Sequence, residues 1–146
     1  MPFQPSNPSF EAEVRSSFSR QRAMSHIGAQ LERVEPGNIE ISLPFHADLT
    51  QQSGYLHAGI VTTIADTACG YAAYSLMPPH SEVLSVEFKV NLLRPAKAES
   101  FLAVAEVIKP GRTLTVVRAD VFGIDEEQKR DLVATMQATI ICLRKE

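Results

Sequence analysis

The sequence predicts an α+β fold in which a curled antiparallel sheet of about six strands wraps around one long central helix, with a shorter N-terminal helix before it. Three observations carry that expectation. From Ile60 to Leu76 the apolar residues recur at helical spacing around most of the circumference, so this helix needs cover on nearly all sides. The other apolar segments alternate with period two and are separated by short turns, among them Pro36-Gly37-Asn38 and Pro110-Gly111-Arg112. Strands joined by tight turns pair antiparallel, because a parallel pair needs a long crossover. One sheet and one such helix are reconciled if the sheet curls around it. That arrangement leaves an edge strand, and pairing of two copies is the natural way to bury it.

A chain of 146 residues, 45% hydrophobic and 21% charged, suits one domain over 1–146. The net charge of -3, with Lys and Arg scattered, argues against a nucleic-acid partner. Pro2, Pro5 and Pro8 interrupt a polar N-terminus that has no signal-peptide core or membrane span, so a cytoplasmic protein is expected, with no membrane partner. Cys69 and Cys142 read as buried reduced thiols, and no Cys-x-x-Cys or His cluster suggests a metal.

In chain order, residues 1–8 read as a flexible arm. Ser9 is placed to cap a helix over 9–25 with Phe10, Val14, Phe18 and Arg22 on one face. A strand from His26 to Glu35 and a second over Ile39–Leu43 form a hairpin through Pro36-Gly37-Asn38. A polar loop, Pro44–Ser53, leads into the central helix, which Pro78-Pro79 stops. An extended stretch follows from Glu82 to Arg94, with Val86, Phe88, Val90 and Leu92 on one face and Ser85, Glu87, Lys89 and Asn91 on the other. Ser100–Lys109, Thr113–Gly123 and Leu132–Leu143 complete the strands.

The central helix also supplies the first candidate for chemistry. Asp66 lies in its middle, and a buried carboxylate without a partner costs several kcal/mol. Thr62, Asp66 and Gly70 form a small or polar stripe along which a ligand could lie. His57-Ala58-Gly59 stands at the helix mouth, where free amides and the dipole favour an oxyanion. The structural alternative is a paired or water-bound core acid on a helix whose small residues ease packing.

The succession Gly54-Tyr55-Leu56-His57-Ala58-Gly59-Ile60, Ala65-Asp66, Leu84-Ser85-Val86-Glu87-Phe88, Leu92-Leu93-Arg94-Pro95-Ala96 and Gly111-Arg112-Thr113-Leu114 resembles the hotdog-fold acyl-CoA thioesterases, the phenylacetate-pathway type above all. The resemblance implies hydrolysis of an acyl-CoA, with a medium-chain or aromatic acyl group, to free acid and coenzyme A. It implies no cofactor, coenzyme A being part of the substrate. Asp66 would be the general base or the nucleophile, the amides of Ala58 and Gly59 the oxyanion donors, and Gln51 the side chain orienting water or carbonyl. His57, Ser85, Arg94 and Arg112 fall at substrate-binding positions, the two arginines where relatives hold phosphates. Homodimers joined edge to edge, each site taking the helix mouth from one subunit and the acid from the other, and dimers paired into tetramers are further implications. The family's His-Gly-Gly has Ala58 in the middle here, and a backbone needing positive φ would disfavour its Cβ.

Read from the residues alone, His57 favours a packing role, fixing the loop by a hydrogen bond. Tyr71 and Tyr74 pack in the core or beside an acyl tunnel, and Arg112 is equally a solvated turn charge. A non-catalytic acyl-CoA sensor is the main alternative. A hydratase on the same fold pairs its carboxylate with a His, and none lies at i±3 or i±4 of Asp66.

Overall fold

A computed structural model describes residues 2–145 and contains six strands and three α-helices in one arrangement. Helices α1 (Phe10–Ser19) and α2 (Arg22–Ile27) precede β1 (Gln30–Glu35) and β2 (Asn38–Pro44); α3 (Ala58–Tyr74) follows, then β3 (Ser81–Leu92), β4 (Ser100–Lys109), β5 (Leu114–Ile124) and β6 (Arg130–Arg144). The strands form one antiparallel sheet in the order β1-β2-β4-β5-β6-β3, curled around α3, which packs on β2 through β6. The expected architecture is therefore present.

Its core follows from composition. Ala65, Ala68, Ala72 and Ala73 let the sheet approach α3 closely, and Val61, Ile64 and Cys69 fill the space between them and Phe101, Ala103, Val117, Val121 and Ile140. Ile39, Ile41 and Leu43 bury one face of β2 as their alternation predicts.

The N-terminal region departs from expectation. Helix 9–25 is two helices, broken at Arg20–Gln21, where Gln21 is extended (ψ 101°) and its Nε2 donates to Tyr71 Oη at 2.9 Å. Ser9 makes no side-chain cap; Asn7 Oδ1 instead accepts from Ser9 N–H at 2.9 Å. The strand expected from His26 begins at Gln30, because α2 runs to Ile27 and Gly28 ends it at φ 84°. The arm has no regular structure, yet Asn7 is buried and Phe3 packs over the Pro36-Gly37 turn; Met1 lies outside the described residues.

Two differences shape the site. The wall of α3 bearing Thr63, Asp66, Thr67, Gly70 and Tyr74 is only half-buried, so the helix is not covered all round. Strand β3 also does not keep strict alternation. Ser85 pairs with Ile140 but Glu87 pairs with Thr139, so Val86 bulges out of register. The bulge turns Ser85 to the helix side with Phe88, Val90 and Leu92, whose partners Ala138, Met136 and Ala134 are buried, and not to the face of Glu87.

Candidate active site

The loop before α3 sets the helix mouth. A 3-10 turn over Ala47–Leu49 and a Thr50–Leu56 bridge fold the chain back, while Leu56 N–H donates to Ala96 O (3.0 Å) and His57 N–H to Leu49 O (2.9 Å). His57 is the N-cap residue, and its Nδ1 accepts from Gly59 N–H at 2.8 Å. A Cβ on residue 59 would stand 3.0 Å from that nitrogen, which explains the glycine. Ile60 and Val61 N–H both donate to His57 O, at 2.9 and 3.1 Å. Gly59 N–H is thus occupied, whereas Ala58 N–H has no acceptor among the described residues. Ala58 is the first helical residue and not a positive-φ position, so its methyl is unstrained where the His-Gly-Gly pattern has glycine.

Ala58 lines a cleft of about 380 Å³ together with Gln51 and Arg94. Gln51 Oε1 accepts from the N–H groups of Ser53 (2.5 Å) and Tyr55 (3.3 Å), which fixes the amide and leaves Nε2 a free donor among the described residues. Arg94 lies 3.6 Å from Asp131, both exposed, a pair too weak to hold it from an anionic ligand.

Asp66 lines a different cleft, of about 600 Å³, between α3, the Ser81–Ser85 segment of β3 and the α1–α2 junction. Ser85 Oγ donates to Asp66 Oδ1 at 2.6 Å, a contact the Val86 bulge makes possible. Asp66 Oδ2 has no hydrogen-bond partner among the described residues. Among the described residues no histidine lines this cleft. A carboxylate pinned through one oxygen with the other free suits a general base or a nucleophile. One turn along, Cys69 has its thiol pushed up by burial and, secondarily, by the Asp66 charge, so it stays neutral.

The stripe is narrower than the sequence implies. Thr62 and Thr63 turn their hydroxyls back to Ala58 O (2.8 Å) and Gly59 O (2.7 Å), leaving Asp66, Thr67, Gly70 and Tyr74 facing the cleft. Gly70 sits in a helix interior, where glycine costs about 1 kcal/mol relative to alanine. Tyr71 is a bracket: its Oη meets Ser17 Oγ at 3.0 Å and Gln21 Nε2 at 2.9 Å, tying the N-terminal helices to α3. Burial, with the Glu13 charge beside it, pushes the Tyr74 phenol up and keeps it neutral, against an opposing effect of Arg20. Arg20 and Gln21 in this wall carry no signal in the sequence, where the i, i+4 spacing of Phe10, Val14, Phe18 and Arg22 runs through them unbroken.

Within one chain the residues do not converge. Gln51, Ala58 and Arg94 share one cleft, Asp66 and Ser85 the other, and the eight steps from Ala58 to Asp66 span about 12 Å of helix. Arg112 reaches neither; it lines a small hollow beside Arg144 at the C-terminal end of α3.

Residues 53–129 match the family model described as the thioesterase superfamily. The chain belongs to the thioesterase superfamily. A thioesterase family protein from Silicibacter pomeroyi superposes with a TM-score of 0.91 at 48% identity, covering 93% of this chain and 99% of that one. The 1,4-dihydroxy-2-naphthoyl-CoA hydrolase of Listeria monocytogenes is 29% identical over 82% of this chain and 94% of its own. The E. coli PaaI protein from the phenylacetic acid degradation operon, 18% identical with a TM-score of 0.81 over 92% of this chain and 94% of its own, shares the fold. The chain is thus a hotdog thioesterase, an enzyme of thioester hydrolysis. Among its described residues no helix is long and apolar enough to cross a membrane.

Proposed function

We propose that this thioesterase hydrolyses an acyl-CoA at a site made by two copies of the chain, Asp66 coming from one and the α3 mouth from the other. The observation that carries the reading is the position of the two clefts on one edge strand. The Asp66 cleft opens at the start of β3, along Ser81–Ser85, and the Ala58 cleft at its end, along Leu92 and Leu93. Strand β3 is a sheet edge, and Leu84, Val86, Phe88 and Leu92 on it are each between 42% and 59% exposed, an apolar edge that calls for cover. A two-fold antiparallel pairing of β3 with its copy sets the start of one strand against the end of the other. Each acid cleft then meets the partner's helix mouth.

In that site Ala58 N–H and the helix dipole stabilise the oxyanion as the thioester carbonyl is attacked, and Gln51 Nε2 orients the carbonyl or the water. Asp66 either removes a proton from water, whose oxygen bonds the carbonyl carbon, or attacks that carbon itself to give an anhydride that water then opens. In both routes the C–S bond breaks with its electron pair leaving on sulfur, and the products are free acid and coenzyme A. Ser85 holds the carboxylate, His57 holds the mouth through Gly59 N–H, and neither route needs a metal. Arg94 meets the phosphates at the rim. Arg112 contacts them only if the nucleotide reaches the far end of α3, and a larger KM increase for acyl-CoA than for a truncated thioester in Arg112→Ala would show it. Medium-chain and aromatic acyl groups are the substrates proposed, with dimers pairing further into tetramers.

A thiol-release assay over acyl-CoA substrates of graded chain length and aromatic character tests the reading, with Asp66→Asn alongside. Wild type is expected to turn over and Asp66→Asn to fold and be inactive; retention of most activity in the variant would refute the assignment.

A further inference from the structure

We propose that Gly70 is a specificity-determining residue, absent of a side chain so that a wide acyl group, ring-bearing or branched, can lie against α3 one turn beyond the carboxylate. This rests on the assignment of the Asp66 cleft as the place where the thioester is attacked. Six of the seven glycines have a local reason: Gly28, Gly37 and Gly54 have positive φ, and at Gly59, Gly111 and Gly123 an added Cβ would meet a neighbour at 3.0 Å or less. Gly70 has neither. Its φ is helical, and a Cβ there would meet nothing within 4 Å among the described residues. Local structure therefore favours alanine or most other side chains over glycine at this point in a helix interior, proline apart.

The open space is the cleft itself. Gly70 stands at i+4 from Asp66 and i-4 from Tyr74, all three in one wall, with Val83 of β3 opposite. A group attached to the carbonyl carbon at Asp66 passes Gly70 after about 6 Å of helix. Tyr74, one further turn along, limits its reach, and Arg20 and Gln21 edge the cleft there with polar atoms. A shelf that is open at Gly70 and polar at its end suits a compact ring or branched acyl group and not a long straight chain.

The test uses the full-length protein in its native oligomeric state, with Gly70→Ala and Gly70→Val assayed by thiol release on propionyl-CoA, hexanoyl-CoA and phenylacetyl-CoA. Wild type is expected to prefer phenylacetyl-CoA. In Gly70→Val its kcat/KM should fall by at least about 10- to 200-fold, the range that a single misplaced methylene produces, while propionyl-CoA stays within about threefold. The melting temperature should hold or rise. Gly70→Ala, favoured in a helix, should show the same order with a smaller ratio and decides the matter if the valine variant folds poorly. An equal loss on all three substrates, no loss, a wild-type preference for the straight chain, or dissociation of the oligomer without a change in selectivity would overturn the inference. Asp66→Asn run in parallel separates the failures: activity in that variant sinks the assignment of the acid, whereas an inactive Asp66→Asn beside unselective Gly70 variants sinks this inference alone.

Discussion

Ala58→Pro tests the helix mouth by deleting a single N–H. Ala58 is the first residue of α3, the position where proline is best tolerated, because its fixed φ suits the helix and no intrahelical bond is lost. His57 before it has φ -61° and ψ 136°, the conformation a residue preceding proline adopts. Ala58 N–H has no acceptor among the described residues, so no structural hydrogen bond is removed. Stability should therefore change by no more than about 0.5 kcal/mol, the usual range away from special features. Loss of an oxyanion donor costs about 2.7–4 kcal/mol of transition-state stabilisation, so kcat should fall about 10²- to 10³-fold. Thiol release at saturating acyl-CoA gives kcat, substrate titration gives KM, and a thermal melt gives stability. A folded variant with kcat within about threefold of wild type would refute the role of this amide, and an increase confined to KM would mean that the ring merely obstructs the cleft.

Removing the Ser85 hydroxyl as Ser85→Ala deletes the bond that aims Asp66 through Oδ1; the contact is exposed, so the melting temperature should change little, while the misaligned carboxylate should lower kcat by about 10- to 100-fold. Unchanged kcat would show that Asp66 needs no such support. Phe88→Glu places a charge on the apolar edge and, if two copies pair through β3 as proposed, should yield a monomer in sedimentation and abolish turnover; an active monomer would contradict a shared site. Burial raises the Cys69 thiol above its ordinary 9.0, so its contribution to stability is intact below that pH and is lost above it as the unfolded thiol ionises and the folded one does not. Between about pH 9 and 11 the wild type should lose up to about 1.4 kcal/mol per pH unit more than Cys69→Ala in chemical denaturation, and identical slopes would contradict the burial effect.

Periodicity made most of this molecule legible. The α3 stripe, the Pro-Gly turns and the alternation of β2 and β5 are local patterns, and each led to the observed element. Asp66 stood out for the same reason, as a charge in an apolar run. What was hidden depends on tertiary geometry. A bulge at Val86 leaves no mark in an alternating sequence, so alternation puts Ser85 on the face of Glu87 whereas the structure turns it to the helix side. The allocation of amides at the α3 mouth is set by where the His57 ring turns, which decides that Gly59 N–H is occupied and Ala58 N–H is free. The break at Arg20–Gln21 reflects the tie to Tyr71, a residue 50 positions away, which a local helix pattern cannot contain.

Co-expression of Asp66→Asn with Ala58→Pro tests most directly whether one site is built from two chains. Each parent alone has both of its sites damaged. In a heterodimer one site unites the intact acid with the intact mouth, and random pairing should restore about a quarter of wild-type turnover. Heterodimers shown to be present but no more active than either parent would contradict the shared site.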